Sequence, residues 1–323
     1  MAGMRDATVR QLQIFAAAGR AGSFTGAARA VHLTQPAVSM QLKQLEHLAG
    51  LPLFERAGRG LRLTQAGEEM ARHAQSVLRS LADAEDAFAA LRGLEAGRLQ
   101  IGAVSTTKYF APKLIARFAR SHPRLELRLA VANRGDLIRL LAENDVDLAI
   151  MGRPPREMEC VAERFAKHPH VVIAPPDHPL ARRRLVPLAE VAAESFLVRE
   201  QGSGTRLAME KFFAERGLRV RVGMEISSNE TIKQAVMAGM GLSFISLHTV
   251  GLELAAGQLV VLRADGLPVM RDWYVVRRRE KVLAPAAAAF ERFVLAEGAA
   301  FLASWPEWTG LPPGGRRRRN RAE

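Results

Sequence analysis

The sequence predicts an α/β protein in two parts, a small all-α N-terminal module joined by a long helix to a larger α/β domain of two subdomains. Three observations carry that prediction. Two short helical stretches around a three-residue turn open the chain, an unbroken helix with a heptad seam runs from Glu68 to Arg92, and strands alternate with helices from Leu99 onward. At 323 residues the chain exceeds one ordinary core and suits a small domain joined to a larger one.

In the first module (1–65), Val9, Leu12, Phe15 and Ala16 recur at helical spacing. Ser23 is a good N-cap for a second helix carrying Phe24, Ala27, Ala28 and Val31. Val31-His32-Leu33 makes the turn, Thr34 caps a third helix, and Pro36 sits in its first turn, where a missing N–H costs nothing. Small Ala27 and Ala28 allow close approach, and the pattern is that of a helix-turn-helix. Val38, Leu42 and Leu45 share one face of the last helix, and Gln35, Ser39 and Lys43 share another. An amide, a small hydroxyl and a cation suit base edges and phosphate. Such a face is ordinarily just solvated; its place at the start of the second helix of the motif favours the DNA groove. Leu51–Arg56 and Leu61–Thr64 flank a Gly-rich turn and read as a hairpin wing, with Arg59 at the tip and Arg62 on the second strand. For Arg62, DNA contact and plain surface charge stand level.

Thr64 can cap the linker helix, which is free of Gly and Pro from Glu68 to Arg92. The linker (66–97) carries Met70, Ala74, Val77, Leu81, Ala84, Phe88 and Leu91 at alternating spacings of four and three. That heptad seam predicts dimerisation through Val77, Leu81, Ala84, Phe88 and Leu91, with packing on the chain's own domains as the competing reading. Residues 93–97 form a hinge.

The remaining domain (98–303) is expected to split into 98–153 with 271–303 and 154–270, joined by crossovers at 152–155 and about 265–271. Expected strands lie at Leu99–Val104, Leu125–Val131, Val146–Met151, Val171–Ala174, Phe196–Val198, Val222–Ile226, Leu242–Ile245 and Trp273–Val276. Helices are expected near Tyr109–Ser121, Arg134–Glu143, Thr205–Glu215, Glu230–Ala238 and Pro285–Leu302. Ligands of such folds bind at the carboxyl ends of the strands. Three loops there are rich in hydroxyls and glycine: Ser105-Thr106-Thr107-Lys108, Gly202-Ser203-Gly204-Thr205-Arg206, and the run through Asn229 and Glu230. Each alone is ordinary helix capping. Together, with Arg153 and Arg199 as further counter-charges, they favour an anionic or phosphorylated ligand.

Enzymatic readings fare poorly, with no GxSxG, HExxH, Walker or dinucleotide motif in order. No catalytic residue, metal site or cofactor is expected. His168 and His170 read as structural, and His248 as the end of a strand. Cys160 is the single cysteine and allows no internal disulfide, which suits the cytoplasm. No apolar run approaches the roughly 20 residues of a membrane span, and the first 22 residues lack a secretion signal. The net charge is +13; residues 1–66 hold eight Lys/Arg against three Asp/Glu, a net of +5. The basic 304–323 segment, with Arg316–Arg319, reads as a disordered tail.

The run GSFTGAA (Gly22–Ala28), then LTQPAVSMQLKQLE (Leu33–Glu46), LPLFER and LTQAG resembles the LysR-type winged helix-turn-helix. Many members have an arginine after the recognition-helix serine, where this chain has Met40, as is usual in one branch. STTKYFAP, MGRPP, APPDHPL, VREQGSGTR and SNETIKQAVMAGMGLSFISLHTV resemble that branch, the Calvin-cycle regulators of RuBisCO operons. The resemblance covers about residues 4–300. It implies an effector domain of periplasmic-binding-protein type and DNA contacts by Ser23, Thr34, Gln35, Pro36, Ser39, Met40 and Lys43. It further implies double-stranded operator DNA, RNA polymerase and a second copy of the chain as partners, the assembly being a dimer of dimers. Activation of carbon-fixation genes would answer to a phosphorylated sugar or NADPH. The competing readings are a regulator of another metabolic regulon and, in a different class, a solute-binding protein or enzyme built on the C-terminal domain.

Overall fold

The computed structural model describes residues 3–58, 60–91 and 97–304. The chain forms two compact units, Met1–Ala96 with Ala142–Asp145, and the rest from Gly97 onward.

In the first unit α1 (Val9–Ala21), α2 (Phe24–Ala30) and α3 (Gln35–Ala49) close around buried Ile14, Phe15, Ala18, Ala27, Val38 and Leu45. Thr8 and Gln11 cap α1 reciprocally, each side chain accepting the other's backbone N–H. Gly22, with φ +59°, ends that helix and sets up Ser23 to cap the next. The hairpin β1 (Phe54–Ala57) and β2 (Gly60–Leu63) pairs Phe54 with Leu63. Glu46 of α3 accepts the backbone N–H groups of Leu53 (2.8 Å) and Phe54 (3.2 Å), tying the wing to the third helix. Arg59, the expected tip, Arg92, the expected last residue of the linker helix, and residues 93–96 of the expected hinge lie outside the described residues.

The helix α4 (Gln65–Leu91) begins directly after Thr64, whose Oγ1 accepts the Gly67 N–H (3.0 Å) and caps it as expected. A Cβ at Gly67 would lie 2.0 Å from the Leu53 carbonyl, so the close approach of helix to wing needs this glycine. The predicted seam divides in two. Met70, Ala71, Ala74 and Leu78 pack onto the module's own core. Val77, Leu81 and Phe88 stay 44%, 42% and 63% exposed, with Ala84 exposed beside them. Leu91 ends the helix, and its side chain lies outside the described residues.

The second unit opens with β3 (Gly97–Val104), a 3-10 turn at Ser105–Tyr109, α5 (Ala111–Ser121), β4 (Leu125–Ala132), α6 (Arg134–Ala142) and β5 (Leu148–Met151). Strand β3 lies parallel to both β4 and β5. The expected helix from Tyr109 starts at Ala111, since the tight turn precedes it. Next come β6 (Cys160–Ala174), α7 (Leu188–Ala193), β7 (Ser195–Arg199), α8 (Gly204–Ala214), β8 (Arg221–Ile226) and α9 (Asn229–Met237). Then β9 (Ser243–Ser246), α10 (Gly251–Ala255), β10 (Val260–Val261), β11 (Val269–Arg278) and α11 (Pro285–Ala303) complete it. Seven strands form one sheet in the order β10-β6-β11-β5-β3-β4, with β9 also on β6, while β7 and β8 pair separately in parallel. Leu99, Leu114, Phe118, Trp273 and Phe290 centre one core, and Val172, Phe196, Met209, Phe213 and Phe244 the other.

The crossovers differ from the expected loops. β6 runs for 15 residues where a strand was expected only at Val171–Ala174, and β11 for 10 residues where Trp273–Val276 was expected. The two pair antiparallel from Cys160↔Arg278 to His170↔Val269. Phe165 and Ala166, set in the second subdomain on sequence, therefore pack into the core of the first. Charged residues disguise this ribbon: Arg164 and Lys167 reach across to Asp272 on its exposed side. Among the described residues no helix is long and apolar enough to cross a membrane.

The ribbon's inner side carries aromatic and imidazole rings. His168 stacks on Trp273 at 3.7 Å and meets Ser246 Oγ at 2.9 Å, and the Trp273 indole N–H donates to His248 Nδ1 at 2.9 Å. His248 sits in a 3-10 turn just after β9, at the strand's end as expected. Burial pushes His170 and His248 down to about 3, and His168 well below its usual range. The folded protein thus holds them neutral, while the unfolded chain binds more protons below the ordinary 6.5. Stability is expected to be full above about pH 6.5 and to fall as pH drops toward 3, by up to about 1.4 kcal/mol per pH unit for each imidazole. Urea denaturation at pH 7.5, 6 and 5 checks this, with His170→Leu flattening the slope; a pH-independent midpoint contradicts it.

Candidate nucleic-acid interface and ligand cleft

On α3 the buried residues Val38, Leu42 and Leu45 leave Gln35, Pro36, Met40 and Lys43 exposed, with Ser39 half-buried beside them. Gln35 is the first helical residue, at the end where free N–H groups and the positive end of the helix dipole face outward. Met40 is 61% exposed, an apolar side chain amid polar ones. Ser23 and Thr34 serve as caps, accepting the N–H of Gly26 (3.1 Å) and Ala37 (3.4 Å). On the wing, both Nε and Nη2 of Arg62 donate to Glu55 across the hairpin. Its charge is thereby partly engaged, although the side chain remains 73% exposed.

In the second unit a cleft of about 470 Å³, partly open to solvent, lies at the ends of β3, β5 and β7. Of the predicted residues, Ser105, Thr106, Arg153, Ser203, Gly204 and Thr205 line it. Ser203 is the residue before α8, and its side chain makes no cap there. That leaves the first N–H groups of α8 open toward the cleft. The hydroxyls of Thr106, Ser203 and Thr205 make no hydrogen bond among the described residues.

The other predicted residues lie off the lining. Thr107 is fully buried and its hydroxyl donates to the Val104 carbonyl (2.8 Å), so it closes the turn. Gly202 occupies a left-handed turn with φ +80°. Arg206 is held by Glu210, Glu225 and the Arg199 carbonyl, and these carboxylates push its guanidinium's ordinary value up. Glu230 instead bridges the subdomains, and Asn229 supports a second bridge by holding Arg199. Asn229 Oδ1 accepts from Arg199 Nη1 (2.7 Å), Arg199 Nη2 also reaches Ser105 (3.3 Å), and the Tyr109 hydroxyl donates to Glu230. Lys108 approaches the same Glu230 at 4.0 Å. These contacts join the two walls of the cleft at its rim.

The cleft also gathers residues the sequence reading missed. Asn133 and Arg134, at the start of α6, form a fourth strand-end loop and were open to the same rule that found the other three. Arg134 forks onto Glu157 (2.9 and 3.2 Å), holding that carboxyl down to about 2, while its own Nε is buried with no partner. Arg271 had no sequence signal, being one residue inside a strand. Its guanidinium donates to the carbonyls of Gly204 (2.8 Å) and Gly152 (3.0 Å) and to no carboxylate. Burial, and then the neighbouring Arg153, push its ordinary value down. Arg199 differs: it is 4% exposed and paired with Glu200 at 2.7 Å. Four guanidiniums and one carboxylate thus border the cleft, with His168 and Trp273 as its floor.

Residues 9–68 match the model of the bacterial regulatory helix-turn-helix protein, lysR family, and residues 92–299 match the LysR substrate binding domain. The RuBisCO operon transcriptional regulator of Allochromatium vinosum is 51% identical over 292 residues, covering 90% of this chain and 97% of that protein. The HTH-type transcriptional regulator CfxR of Cupriavidus necator is 48% identical over 313 residues, covering 97% and 98%. Among solved structures, the regulatory domain of Synechocystis CcmR in complex with 2-PG is similar at TM-score 0.59 and 39% identity, over 62% of this chain and 96% of that one. With a helix-turn-helix that presents an open polar face, a cationic two-walled cleft and both family models matched in order, the chain belongs to the LysR family of bacterial regulators.

Proposed function

We propose that this protein is a cytoplasmic activator of carbon-fixation genes that binds operator DNA, engages RNA polymerase and answers to a small phosphorylated metabolite in the cleft. The cleft's charge carries the reading of the ligand. Arg153 and Arg271 stand close together without a carboxylate, beside the open N-terminus of α8 and three unengaged hydroxyls. A compact phosphorylated acid or sugar suits about 470 Å³ better than a whole dinucleotide such as NADPH. The likeness to the RuBisCO operon transcriptional regulator of Allochromatium vinosum supports the regulon, and the 2-PG complex of Synechocystis CcmR supports phosphate as the ligand's chemistry.

For DNA, we place α3 in the major groove with Gln35, Ser39 and Lys43 toward bases and phosphate and Met40 toward a thymine methyl, the one apolar mark on a base edge. Self-association uses the exposed part of the seam, Val77, Leu81, Ala84 and Phe88, and pairs of dimers make the tetramer.

The test of the cleft is a circular-permutation bending assay with 2-phosphoglycolate. Arg153→Ala and Ser203→Ala should each weaken the response about tenfold or more in ligand concentration, at about 1.5–3 kcal/mol per charge-assisted contact. Ligand-free DNA binding should stay near normal; full responses from both variants would sink the cleft reading. Leu81→Asp with Phe88→Asp should dissociate the dimer, since unpaired buried carboxylates cost several kcal/mol each. Sedimentation at micromolar concentration reads this, and an intact oligomer moves dimerisation elsewhere. For Met40, operators with single thymines replaced by deoxyuridine should lose about 0.8 kcal/mol of binding at one step, the worth of one methyl-sized group. Met40→Ala should abolish that loss; a penalty unchanged in the variant refutes the contact.

A further inference from the structure

We infer that the second unit carries another ligand site, a groove behind the cleft that takes an amphipathic organic phosphate of nucleotide type. The groove is about 1620 Å³, much of it open to solvent, and runs along α8 between the two segments that connect the subdomains. The cleft on the same measure is about 470 Å³, so the groove suits a distinctly larger molecule.

Its charge is unbalanced. Arg153, Arg156, Lys211, Arg216 and Arg271 face two carboxylates, and both carboxylates are engaged. Glu215 meets Lys211 at 3.6 Å, and Asp272 holds Lys167 at 3.1 Å. Arg216 stacks on the Phe212 ring at 4.0 Å and donates to the Phe212 carbonyl. Arg153 and Arg156 have no ion pair or side-chain hydrogen bond among the described residues. Unengaged guanidiniums in a concave site match phosphate oxygens, which take their forked N–H groups two at a time.

The remaining wall is apolar. Leu207 is 39% exposed and Met270 54% exposed, and both face the groove. Inorganic phosphate has no use for that surface. A molecule with phosphates at one end and a flat, weakly polar body at the other uses both: phosphates on Arg153, Arg156 and Lys211, the body against Leu207 and Met270.

The groove and the cleft share Gly152, Arg153, Gly204 and Arg271. The Arg271 guanidinium, bonded to the Gly152 and Gly204 carbonyls, is the partition between them. Arg153 cannot fork onto two phosphates at once, and the two anions repel across that partition. Occupancy of the groove therefore weakens binding in the cleft, and the effect is reciprocal.

Calorimetry on the full chain tests this with ADP, pyrophosphate and adenosine as probes, with and without 2-phosphoglycolate. ADP should bind at one site per chain, and pyrophosphate and adenosine at least about tenfold more weakly, a loss of about 1.4 kcal/mol for either half of the molecule. Arg156→Glu with Lys211→Glu, both exposed positions outside the cleft, should weaken ADP about a hundredfold and leave 2-phosphoglycolate within about twofold, which also checks folding. Saturating ADP should lower 2-phosphoglycolate affinity to a plateau about tenfold below its starting value. The site is overturned if ADP does not bind, if pyrophosphate matches ADP, or if the double variant binds ADP normally. It is equally overturned if ADP displaces 2-phosphoglycolate with no plateau, which would put both in one pocket. The ADP measurements stand on their own: failure of 2-phosphoglycolate to bind would remove the cleft reading and leave this one to them.

Discussion

The second unit hangs on one pair of strands. β6 pairs with β11 over its first ten or so residues and with β9 and β10 over its last, while β11 also pairs with β5. The seven-stranded sheet runs through both subdomains, and only β7 and β8 pair apart from it. The floor of the cleft, His168, Trp273 and Arg271, comes from this ribbon, and its walls come from loops at the ends of other strands. Backbone hydrogen bonds from strand to strand hold the floor in place, whereas the rim is joined only by side chains such as Tyr109–Glu230 and Arg199–Ser105. The floor is therefore held by backbone pairing and the walls only by side chains, so on the proposed reading it is the walls that a ligand moves.

The cationic groups around that floor divide by how their charge is met. Arg199 is almost fully buried, paired with Glu200 and bonded to Asn229 and Ser105, which makes it a strut across the rim. Its removal would leave Glu200, itself partly exposed, without its partner and would take the donor from Asn229 and Ser105. Arg271 is also largely buried but has only carbonyl dipoles for company, and Arg153 beside it adds repulsion. The two guanidiniums therefore repel each other at the cleft, with no carboxylate bonded to either among the described residues. The three buried histidines stay neutral in the same surroundings, so they add no charge to the problem.

The N-terminal module was legible almost residue by residue because its signals are local: Ser23, Thr34 and Thr64 cap the helices they were read to cap, and Val38, Leu42 and Leu45 face inward. The ribbon was not legible. Arg164, Lys167 and Pro169 break the apolar pattern of a strand, and only pairing with β11, about a hundred residues away in sequence, shows why they can sit there. The cleft was half legible. Ser105, Thr106, Ser203 and Thr205 follow from the strand-end rule, but backbone geometry then decides which hydroxyls look inward, as Thr107 demonstrates. Arg206 misled for a related reason: a cation just past a helix start is as easily drawn to acids one turn on, here Glu210, as to a ligand. Arg271 had no local mark at all. The seam of α4 was read correctly as a period, yet one period served two packings, because a long helix leaving a small module must first cover that module.

The energetics of switching set a limit on what the proposed ligand must do. Moving a two-state equilibrium from 1:99 to 99:1 takes about 5.5 kcal/mol of differential affinity. A charge-assisted hydrogen bond is worth about 1.5–3 kcal/mol. Two to four such contacts present in the closed form and absent in the open one are therefore enough, and they must span both walls, because a contact made to one wall alone is kept in either state. Arg134 and Thr106 stand on one wall, Ser203, Thr205 and the start of α8 on the other, with Arg153 and Arg271 at the floor between them. Floor contacts give affinity in both states and so set the working concentration of the ligand. Contacts across the walls give the switch. On the proposed reading, a ligand too short to touch both walls binds and leaves the equilibrium where it was.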